Sequence, residues 1–339
     1  MLRIGLIGTG FMGSMHAACY EVLAESGVEI AAVADLDEEK AKKAVKKFDA
    51  RIFKTGEELI EKADVDAIDI CLPTYLHSIH AIKAMEKGRA VFIEKPVCIN
   101  SKQAKELLDA RKKTGANVMV GQCLRLFPEY VWLKETKESG KYGELRSAIL
   151  RRVSPSPTWT WQNWMHNPEL SGTVATDLHI HDADIIRYIL GEPDRLVSEA
   201  SRDDDGVIQQ IFTIYGYKGP DRLVMAEAAW DFPPAFPFSM SYIVKFDDAT
   251  AVYNSALDPS LVLYTADGGR TVPELGRNTA SASGVEGNIS SLAGYYDELK
   301  YFTEKVMAGE EILMATLEEG VKSLELVLEE IKLVGGVKI

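Results

Sequence analysis

Three glycines near the start of the chain have the spacing of a phosphate-binding turn. Gly8, Gly10 and Gly13 form a G-x-G-x-x-G pattern, with Phe11 and Met12 in its variable positions. The pattern follows the apolar run RIGLI and precedes a helix-like stretch, which is the context that a dinucleotide site requires. The first glycine permits a tight turn, the second lets the backbone approach a pyrophosphate, and the third packs helix against strand. The spacing therefore predicts a dinucleotide-binding turn.

An acidic residue follows at the position that recognises the adenosine ribose. Asp35 ends the strand-like run VEIAAVAD, 22 residues after Gly13. A carboxylate at this point accepts hydrogen bonds from both ribose hydroxyls and repels a 2′-phosphate. We therefore predict NAD as the cofactor, with NADP less favoured. The alternative is a glycine-rich turn followed by a solvated aspartate.

A cluster of acidic residues and histidines, DLHIHDAD, lies much farther along the chain. Asp177 and His181 are four residues apart, so on a helix they share a face, and the carboxylate can orient the ring or bind a neighbouring hydroxyl. Imidazoles and carboxylates also bind metal ions. However, His179 points away from that face, and no separate group supplies the missing ligands. We therefore predict no metal here.

Two further segments point to a particular family. Glu94, Lys95 and Pro96 follow the apolar run AVFI, and Pro73 and His77 lie in LPTYLHSIH after the preceding run. With the glycine turn and the DLHIHDAD cluster, these residues resemble the Gfo/Idh/MocA family, the relatives of glucose-fructose oxidoreductase and inositol dehydrogenase. The resemblance covers essentially the whole chain.

The resemblance implies a fold, an activity and a set of functional residues. It implies a Rossmann domain, then an α/β domain whose open sheet commonly forms an oligomer interface, and oxidation or reduction of sugars, cyclitols and related carbonyl compounds with NAD(P). It implies that Lys95 lies beside the nicotinamide and the substrate, and that Asp177 and His181 complete the catalytic group. Besides the glycine turn, the expected cofactor contacts are Asp35, Leu72, Pro73, His77, Glu94, Lys95 and Pro96.

Hydride transfer from an alcohol requires a group that takes the hydroxyl proton, and the reverse reaction requires the same group as an acid. Lys95 and His181 can both serve, and the sequence leaves this choice open. Substrate contacts are expected from these two residues, Asp177, Arg125 and Trp161. Arg125 can bind a polyol or a carboxylate, or instead form a salt bridge at a domain hinge. Trp161 can pack on the C–H face of a sugar, or in a core or interface.

Two kinds of hydrophobic pattern divide the chain and predict an α/β fold. Up to Gln122, short apolar runs alternate with helical stretches, which indicates βαβ units and a doubly wound parallel Rossmann sheet. From about Arg146, longer runs with period-two alternation indicate a large, mostly antiparallel open sheet, with one helix expected near residues 176–190. The predicted domains are an NAD-binding domain at 1–122 and a substrate-binding and oligomerisation domain at 123–339.

Length and composition exclude several classes of protein. The chain has 339 residues, of which 46% are hydrophobic and 26% charged, as in a globular protein of two domains. The formal net charge of −13 argues against a nucleic-acid partner. The sequence has no apolar run long enough to predict a membrane span. Four scattered cysteines without a C-x-x-C pair suit a reducing compartment, which predicts a cytoplasmic location.

Two other functions stay open at this point. One is an NAD-dependent glycoside hydrolase that keeps its NAD tightly bound and oxidises the substrate only transiently. The other is a non-catalytic, NAD-responsive binding protein. The coexistence of Lys95, Asp177 and His181 argues against the second, because a sensor needs a cofactor site but no proton-transfer group.

The quaternary structure is also predicted from the strand pattern. The alternating strands between Val207 and Leu263 leave one sheet face with apolar residues, and the sequence offers no helix to cover it. We therefore predict a homo-oligomer, either a dimer or a tetramer, that acts on a small sugar or polyol.

Overall fold

The computed structural model describes residues 1–219, 221–276 and 293–336. These residues divide into two units by their contacts. The first contains Met1–Leu126 and the described residues from 293 to Lys322. The second contains the described residues from Phe127 to 276 and from Ser323 to 336.

The first unit is built on a parallel sheet, with its strands in the order β3-β2-β1-β4-β5-β6. The strands are β1 (Leu2–Ile7), β2 (Val28–Ala34), β3 (Arg51–Phe53), β4 (Ala67–Ile70), β5 (Ala90–Ile93) and β6 (Val118–Val120). The helices between them are α1 (Phe11–Leu23), α2 (Glu38–Ala44), α3 (Gly56–Lys62), α4 (His77–Glu86) and α5 (Ser101–Thr114). The strand order reverses between β1 and β4, and ligands bind doubly wound sheets at such a point. The predicted cofactor residues follow β1, β2, β4 and β5, at the carboxyl end of this sheet.

The second unit contains the larger sheet, in the order β14-β13-β12-β11-β7-β10-β9-β8. Its strands are β7 (Leu145–Pro155), β8 (Arg195–Arg202), β9 (Ile208–Gly216), β10 (Leu223–Phe232), β11 (Ser239–Phe246), β12 (Ala249–Asn254), β13 (Leu261–Thr265) and β14 (Arg270–Thr271). Its helices before β8 are α6 (Pro128–Ser139), α7 (Pro168–Ser171) and α8 (Ile180–Leu190). The β7–β10 pair is parallel and the other pairs are antiparallel. The predicted fold class is therefore confirmed.

Two helices complete the described chain, α9 (Ala293–Ala308) and α10 (Leu317–Leu333). Helix α9 packs against α1 through buried apolar residues that include Leu299 and Phe302. The predicted first domain ends at residue 122. The contacts within the chain assign two further segments to the unit of the Rossmann sheet, Cys123–Leu126 and residues 293–322. Residues 220, 277–292 and 337–339 of the predicted second domain lie outside the described residues. Within the described ranges, no helix is long and apolar enough to cross a membrane.

Candidate functional site

The glycine turn between β1 and α1 has the backbone that the motif requires. Gly8 has φ +88°, and a Cβ atom on it would lie 2.6 Å from the Cys71 carbonyl oxygen. A Cβ atom on Gly13 would lie 1.9 Å from the Gly8 carbonyl oxygen, so neither position accepts a side chain. A Cβ atom on Gly10 would meet nothing within 4 Å. No side chain caps the first turn of α1, and this turn has no acidic residue, so the open helix end fits an anionic pyrophosphate.

The Asp35 carboxylate, directly after β2, reaches back to the glycine turn. Its Oδ2 atom accepts hydrogen bonds from the Thr9 backbone N–H at 2.7 Å and from the Thr9 hydroxyl at 2.6 Å. Its Oδ1 atom accepts one from the Asp37 backbone N–H at 2.9 Å. The neighbouring Leu36 is 65% exposed and adds no positive charge. A fixed negative charge therefore stands beside the turn, where it disfavours an additional phosphate group.

The buried His77 ring joins the segments that follow β4 and β5. Its Nδ1 atom lies 2.8 Å from the Pro96 carbonyl oxygen, and its Nε2 atom lies 2.7 Å from the Leu72 carbonyl oxygen. Burial lowers the pKa of His77 below its usual value, and the two carbonyls oppose this only in part. His77 therefore lies between the Leu72–Pro73 segment and the Lys95–Pro96 turn, and its neutral ring donates a hydrogen bond to one of the two carbonyl oxygens. Direct contact of Leu72, Pro73 or His77 with a cofactor stays a prediction.

The buried Glu94 side chain stabilises the Glu94-Lys95-Pro96 turn by a hydrogen bond to its backbone. The buried Glu94 carboxylate accepts a hydrogen bond from the Lys95 backbone N–H at 3.0 Å through Oε2, and its Oε1 atom lies 3.0 Å from His16 Nε2. Gly121 packs on this carboxylate, and a Cβ atom there would lie 3.2 Å from Oε1. The Lys95–Pro96 peptide bond is cis. Of the three motif residues, Lys95 is the one that is partly exposed. Contact of Glu94, Lys95 or Pro96 with a cofactor stays a prediction.

A buried polar cluster adjoins Glu94, and the sequence patterns do not predict it. His16 Nδ1 lies 2.8 Å from Asp69 Oδ2, which also accepts a hydrogen bond from the Tyr20 hydroxyl at 3.0 Å. Burial alone would lower the pKa of His16, but the Asp69 carboxylate helps to raise it well above its usual value. Burial raises the pKa of Glu298, on α9, well above that of an ordinary carboxyl group. The cluster therefore favours a charged imidazole and a neutral Glu298.

In the second unit, Asp177 and His181 lie on the helix that the sequence predicts near residues 176–190. The structure shows α8 preceded by a π-helical turn, Ala175–His179. Such turns are rare and frequently lie at functional sites. Asp177 is half-buried within the turn, and the buried His181 is in the first turn of α8. The shared-face argument assumes a regular α-helix, so the wider turn changes the angle between these two side chains.

Other polar residues of the DLHIHDAD cluster hold α8 in place. The fully buried His179 has its Nε2 atom 2.8 Å from Glu330 Oε2 and 3.1 Å from the Tyr215 hydroxyl. Asp182 accepts two hydrogen bonds from the Arg152 guanidinium, at 3.0 and 3.2 Å. In the described part of the chain, this cluster does not bring three ligand atoms close enough together to hold a metal ion. His179 and Asp182 therefore have structural partners.

Arg125 and Trp161 differ sharply in exposure. Arg125 is buried in the turn Cys123–Arg125, and its Nη2 atom lies 3.4 Å from Glu319 Oε2. Arg125 therefore forms a salt bridge with a residue of its own unit, and the predicted alternative of a salt bridge at a domain hinge stays a prediction. Trp161 begins the turn Trp161–His166 and is 47% exposed, so its ring is open to a ligand. A substrate contact by either residue stays a prediction.

Comparison with protein-family models identifies both parts of the chain. Residues 2–122 match the model described as oxidoreductase family, NAD-binding Rossmann fold. Residues 130–252 match the GFO/IDH/MocA C-terminal domain, and the two matches together cover more than half of the chain. The chain belongs to the GFO/IDH/MocA family. This confirms the predicted family and the NAD-binding Rossmann domain.

Curated proteins and solved structures also resemble the chain. Myo-inositol 2-dehydrogenase of Thermotoga maritima is 30% identical over 192 residues, 56% of this chain and 55% of that protein. Inositol 2-dehydrogenase 4 of Saccharopolyspora erythraea is 33% identical over 201 residues, 58% of this chain and 56% of that protein. The matches thus span about half the length of these relatives. A levoglucosan dehydrogenase structure, in complex with NADH and levoglucosan, covers 98% of this chain and 97% of its own with a TM-score of 0.85. At 18% identity, this likeness concerns the fold.

Sequence reasoning misses three residues of the buried cluster in this GFO/IDH/MocA chain. Asp69 gives a local signal, because an acidic residue inside the apolar run AIDIC must find a partner when the strand is buried. Tyr20 and Glu298 give none, because aromatic and acidic residues are ordinary in helices. Only the packing of α1 and α9 brings them to this cluster.

Proposed function

We propose that this protein is an NAD-dependent dehydrogenase that transfers a hydride between the nicotinamide and a CH–OH group of a sugar, cyclitol or related polyol. The observation that carries the proposal is the Glu94-Lys95-Pro96 turn, held at the carboxyl end of the same sheet as the open glycine turn. A binding protein needs the glycine turn but no lysine fixed in this way. The names of the matched relatives, inositol 2-dehydrogenase and levoglucosan dehydrogenase, support the substrate class.

The residues of the first unit divide into cofactor-holding and proton-handling groups. When bound, NAD supplies the carbon-to-carbon hydride chemistry that no side chain provides. The turn Gly8–Gly13 would hold the pyrophosphate, and the Asp35 carboxylate would accept hydrogen bonds from the ribose. The Lys95 ammonium would donate a hydrogen bond to the substrate oxygen or, when neutral, take its proton.

The residues proposed from the second unit are His181, Asp177 and Trp161. The His181 imidazole is the other group able to take or return the hydroxyl proton. The Asp177 carboxylate would orient that ring or bind an adjacent hydroxyl. Trp161 would pack on the C–H face of a sugar. Arg125 completes the proposed substrate contacts.

A substrate screen tests the proposed function. The protein is mixed with NAD or NADP and single sugars, polyols and inositols, and the absorbance of reduced nicotinamide is followed. We expect reduced cofactor to accumulate with at least one compound. A glycoside hydrolase would instead release sugar from a glycoside without net NADH. A binding protein would bind NAD and do neither, which would remove the proposal.

The first prediction is that NAD is preferred to NADP. The Asp35 charge, fixed by Thr9, would meet the 2′-phosphate of NADP as an unpaired like charge. Changing Asp35→Ser with Leu36→Arg should move the ratio of kcat/KM values toward NADP by at least about tenfold, which is ~1.4 kcal/mol. Steady-state kinetics with both cofactors measure the ratio, with Leu36→Arg alone as the control. Equal kcat/KM values for both cofactors in the unchanged protein would contradict the assignment.

We also propose that the protein is a homo-oligomer joined through its larger sheet. The residues Val197, Ile214, Met225, Ile149, Ile243, Val252 and Val262 are paired across seven neighbouring strands in one continuous row. Ile149 is 39% exposed and Ile243 48% exposed, both near the middle of the sheet. Four members of the row are exposed, whereas Val262 at its end is buried, and an apolar stretch exposed near the middle of a sheet is typical of a protein interface. The partner that fits best is a second copy, because one surface then covers two identical rows.

The second prediction follows from this row. Ile149→Glu with Ile243→Glu places two charges at its centre, so we expect dissociation into single chains of 37.5 kDa. Val22→Glu is the control, because Val22 is similarly exposed, at 41%, but lies on α1 of the other unit. Multi-angle light scattering at micromolar concentration measures the mass. A single-chain mass for the unchanged protein would refute the homo-oligomer.

A further inference from the structure

His16 connects the helix of the glycine turn to the turn that carries Lys95. It lies on α1 and is fully buried, with Nδ1 2.8 Å from Asp69 Oδ2 and Nε2 3.0 Å from Glu94 Oε1. The Phe92 ring meets the imidazole edge-on, with centroids 5.4 Å apart and an interplanar angle of 81°. The plane and both nitrogens of the His16 ring are therefore fixed by three neighbours, Asp69 on β4, Phe92 on β5 and Glu94 directly after β5.

The partners of the ring determine its charge. Ionised carboxylates only accept hydrogen bonds, so both ring nitrogens of His16 can donate only if the imidazole is protonated. The Asp69 and Glu94 carboxylates then carry two negative charges against one positive charge. The Cys71 Sγ atom also faces Nδ1, at 3.2 Å, and burial raises the pKa of that thiol, so it stays neutral.

A third acid packs against this cluster from α9. A Glu298 oxygen lies within 4.8 Å of a His16 ring nitrogen and of a Glu94 oxygen. Neither Glu298 oxygen has a hydrogen-bond partner among the described residues. Burying an ionised carboxylate without hydrogen-bond partners costs free energy. The raised pKa of Glu298 agrees with this, because it favours the neutral acid. The Tyr20 hydroxyl donates to Asp69 and likewise adds no charge.

The contacts from Asp69 through His16 and Glu94 lead to the backbone N–H of Lys95. Glu94 uses one oxygen toward His16 and the other to accept from the Lys95 N–H at 3.0 Å. Without the imidazole, the Glu94 carboxylate would lose its buried counter-ion and would have to take up a proton or rotate. Either change weakens the hydrogen bond that Glu94 accepts from the Lys95 N–H. The backbone conformation of the glycine turn is not affected.

We propose that His16 is a positioning residue that holds Glu94 and, through Glu94, the backbone of Lys95 in its working position. The catalytic consequence rests on the proposed function, because it requires that Lys95 act on the substrate. A displacement of about 1 Å can lower turnover by about 10²-fold. His16 therefore belongs to the machinery of the reaction although it contacts neither substrate nor cofactor in this assignment.

The test compares His16→Gln with His80→Gln. His80 is also a buried histidine of the first unit, on α4, and its Nδ1 atom contacts the Leu76 carbonyl oxygen at 2.9 Å. We expect His16→Gln to lower kcat by about 10- to 100-fold, with the substrate KM and the dissociation constant of NADH nearly unchanged. We expect His80→Gln to lower stability without this loss of kcat. Equal losses of kcat in both variants, or normal kcat in His16→Gln, would overturn the proposal.

A second measurement does not depend on activity. Hydrogen exchange at the Lys95 backbone amide reports its bond to Glu94, and we expect faster exchange in His16→Gln and in Glu94→Gln but not in His80→Gln. Unchanged exchange in the first two variants removes the positioning role. If the unchanged protein reduces no NAD with any substrate, the proposed function fails. The exchange rates then still decide whether His16 holds the turn. If His16→Gln does not fold, His16→Asn takes its place in this test, and Glu94→Gln gives the exchange rate of a Lys95 amide whose bond to residue 94 is weakened.

Discussion

Lys95→Met is expected to lose about 10²- to 10⁴-fold in kcat, the usual cost of removing a general acid or base. Methionine keeps most of the length of the side chain but can neither donate a hydrogen bond to the substrate oxygen nor take its proton. Binding of NADH should persist, because Asp35 and the turn Gly8–Gly13 are untouched. Steady-state kinetics measure kcat, and the fluorescence of bound NADH measures the dissociation constant.

A matched lysine variant separates this effect from the loss of a positive charge. Lys102 is exposed on α5, seven residues after Lys95 and outside the motif. We expect Lys102→Met to leave kcat and NADH binding unchanged. A Lys95→Met protein with near-normal kcat on its substrate would contradict a catalytic role of Lys95 and indicate a non-catalytic role of the motif. A loss of NADH binding in step with kcat would instead indicate that Lys95 holds the cofactor.

His181→Asn is expected to have the second large effect, again about 10²- to 10⁴-fold in kcat. Asparagine keeps a hydrogen-bonding side chain at the start of α8 but cannot take up a proton near neutral pH. The pH dependence of kcat/KM distinguishes the two candidate bases. If His181 is the base, the acidic limb of the profile disappears in His181→Asn. If that limb survives there and disappears in Lys95→Met, the lysine is the base and the histidine orients the substrate.

His179→Gln provides the contrast on the same helix. The His179 ring contacts Glu330 and Tyr215 in the interior of the second unit. Its replacement should lower the free energy of unfolding by about 1–3 kcal/mol, because buried polar partners are left unsatisfied. The acidic limb of the profile should persist in the protein that stays folded. An acidic limb lost in His179→Gln as well would remove the specific role given to His181.

The parts of the site that are local in sequence could be predicted from sequence. Gly8, Gly10 and Gly13 act within one strand–turn–helix unit, so their spacing already contains the geometry. The position of Asp35 could be predicted in the same way, because it ends the next strand of the same βαβ unit. The helix with His181 follows from its hydrophobic period, but the π-helical turn before it does not. That turn replaces a few backbone hydrogen bonds without changing which residues are apolar.

The parts that depend on distant segments could not be predicted. Arg125 pairs with Glu319, 194 residues away in sequence, so the residues around Arg125 could not reveal this partner. His77 has the position expected of a residue near the nicotinamide, yet both ring nitrogens contact backbone carbonyls. Glu298 enters the cluster of His16 only because α9 returns to the first unit, and amphipathic helices carry no information about which sheet they join.

Deuterium tracing tests the central claim most directly. A polyol that reduces NAD in the screen is prepared with deuterium at the carbon that bears the reacting hydroxyl, and the nicotinamide product is analysed by mass spectrometry. Direct hydride transfer predicts one deuterium in each reduced nicotinamide and a ketone or aldehyde formed in equal amount. Reduced nicotinamide without deuterium, or a hydrolysed glycoside with no net NADH, would contradict the assignment of this protein as a dehydrogenase.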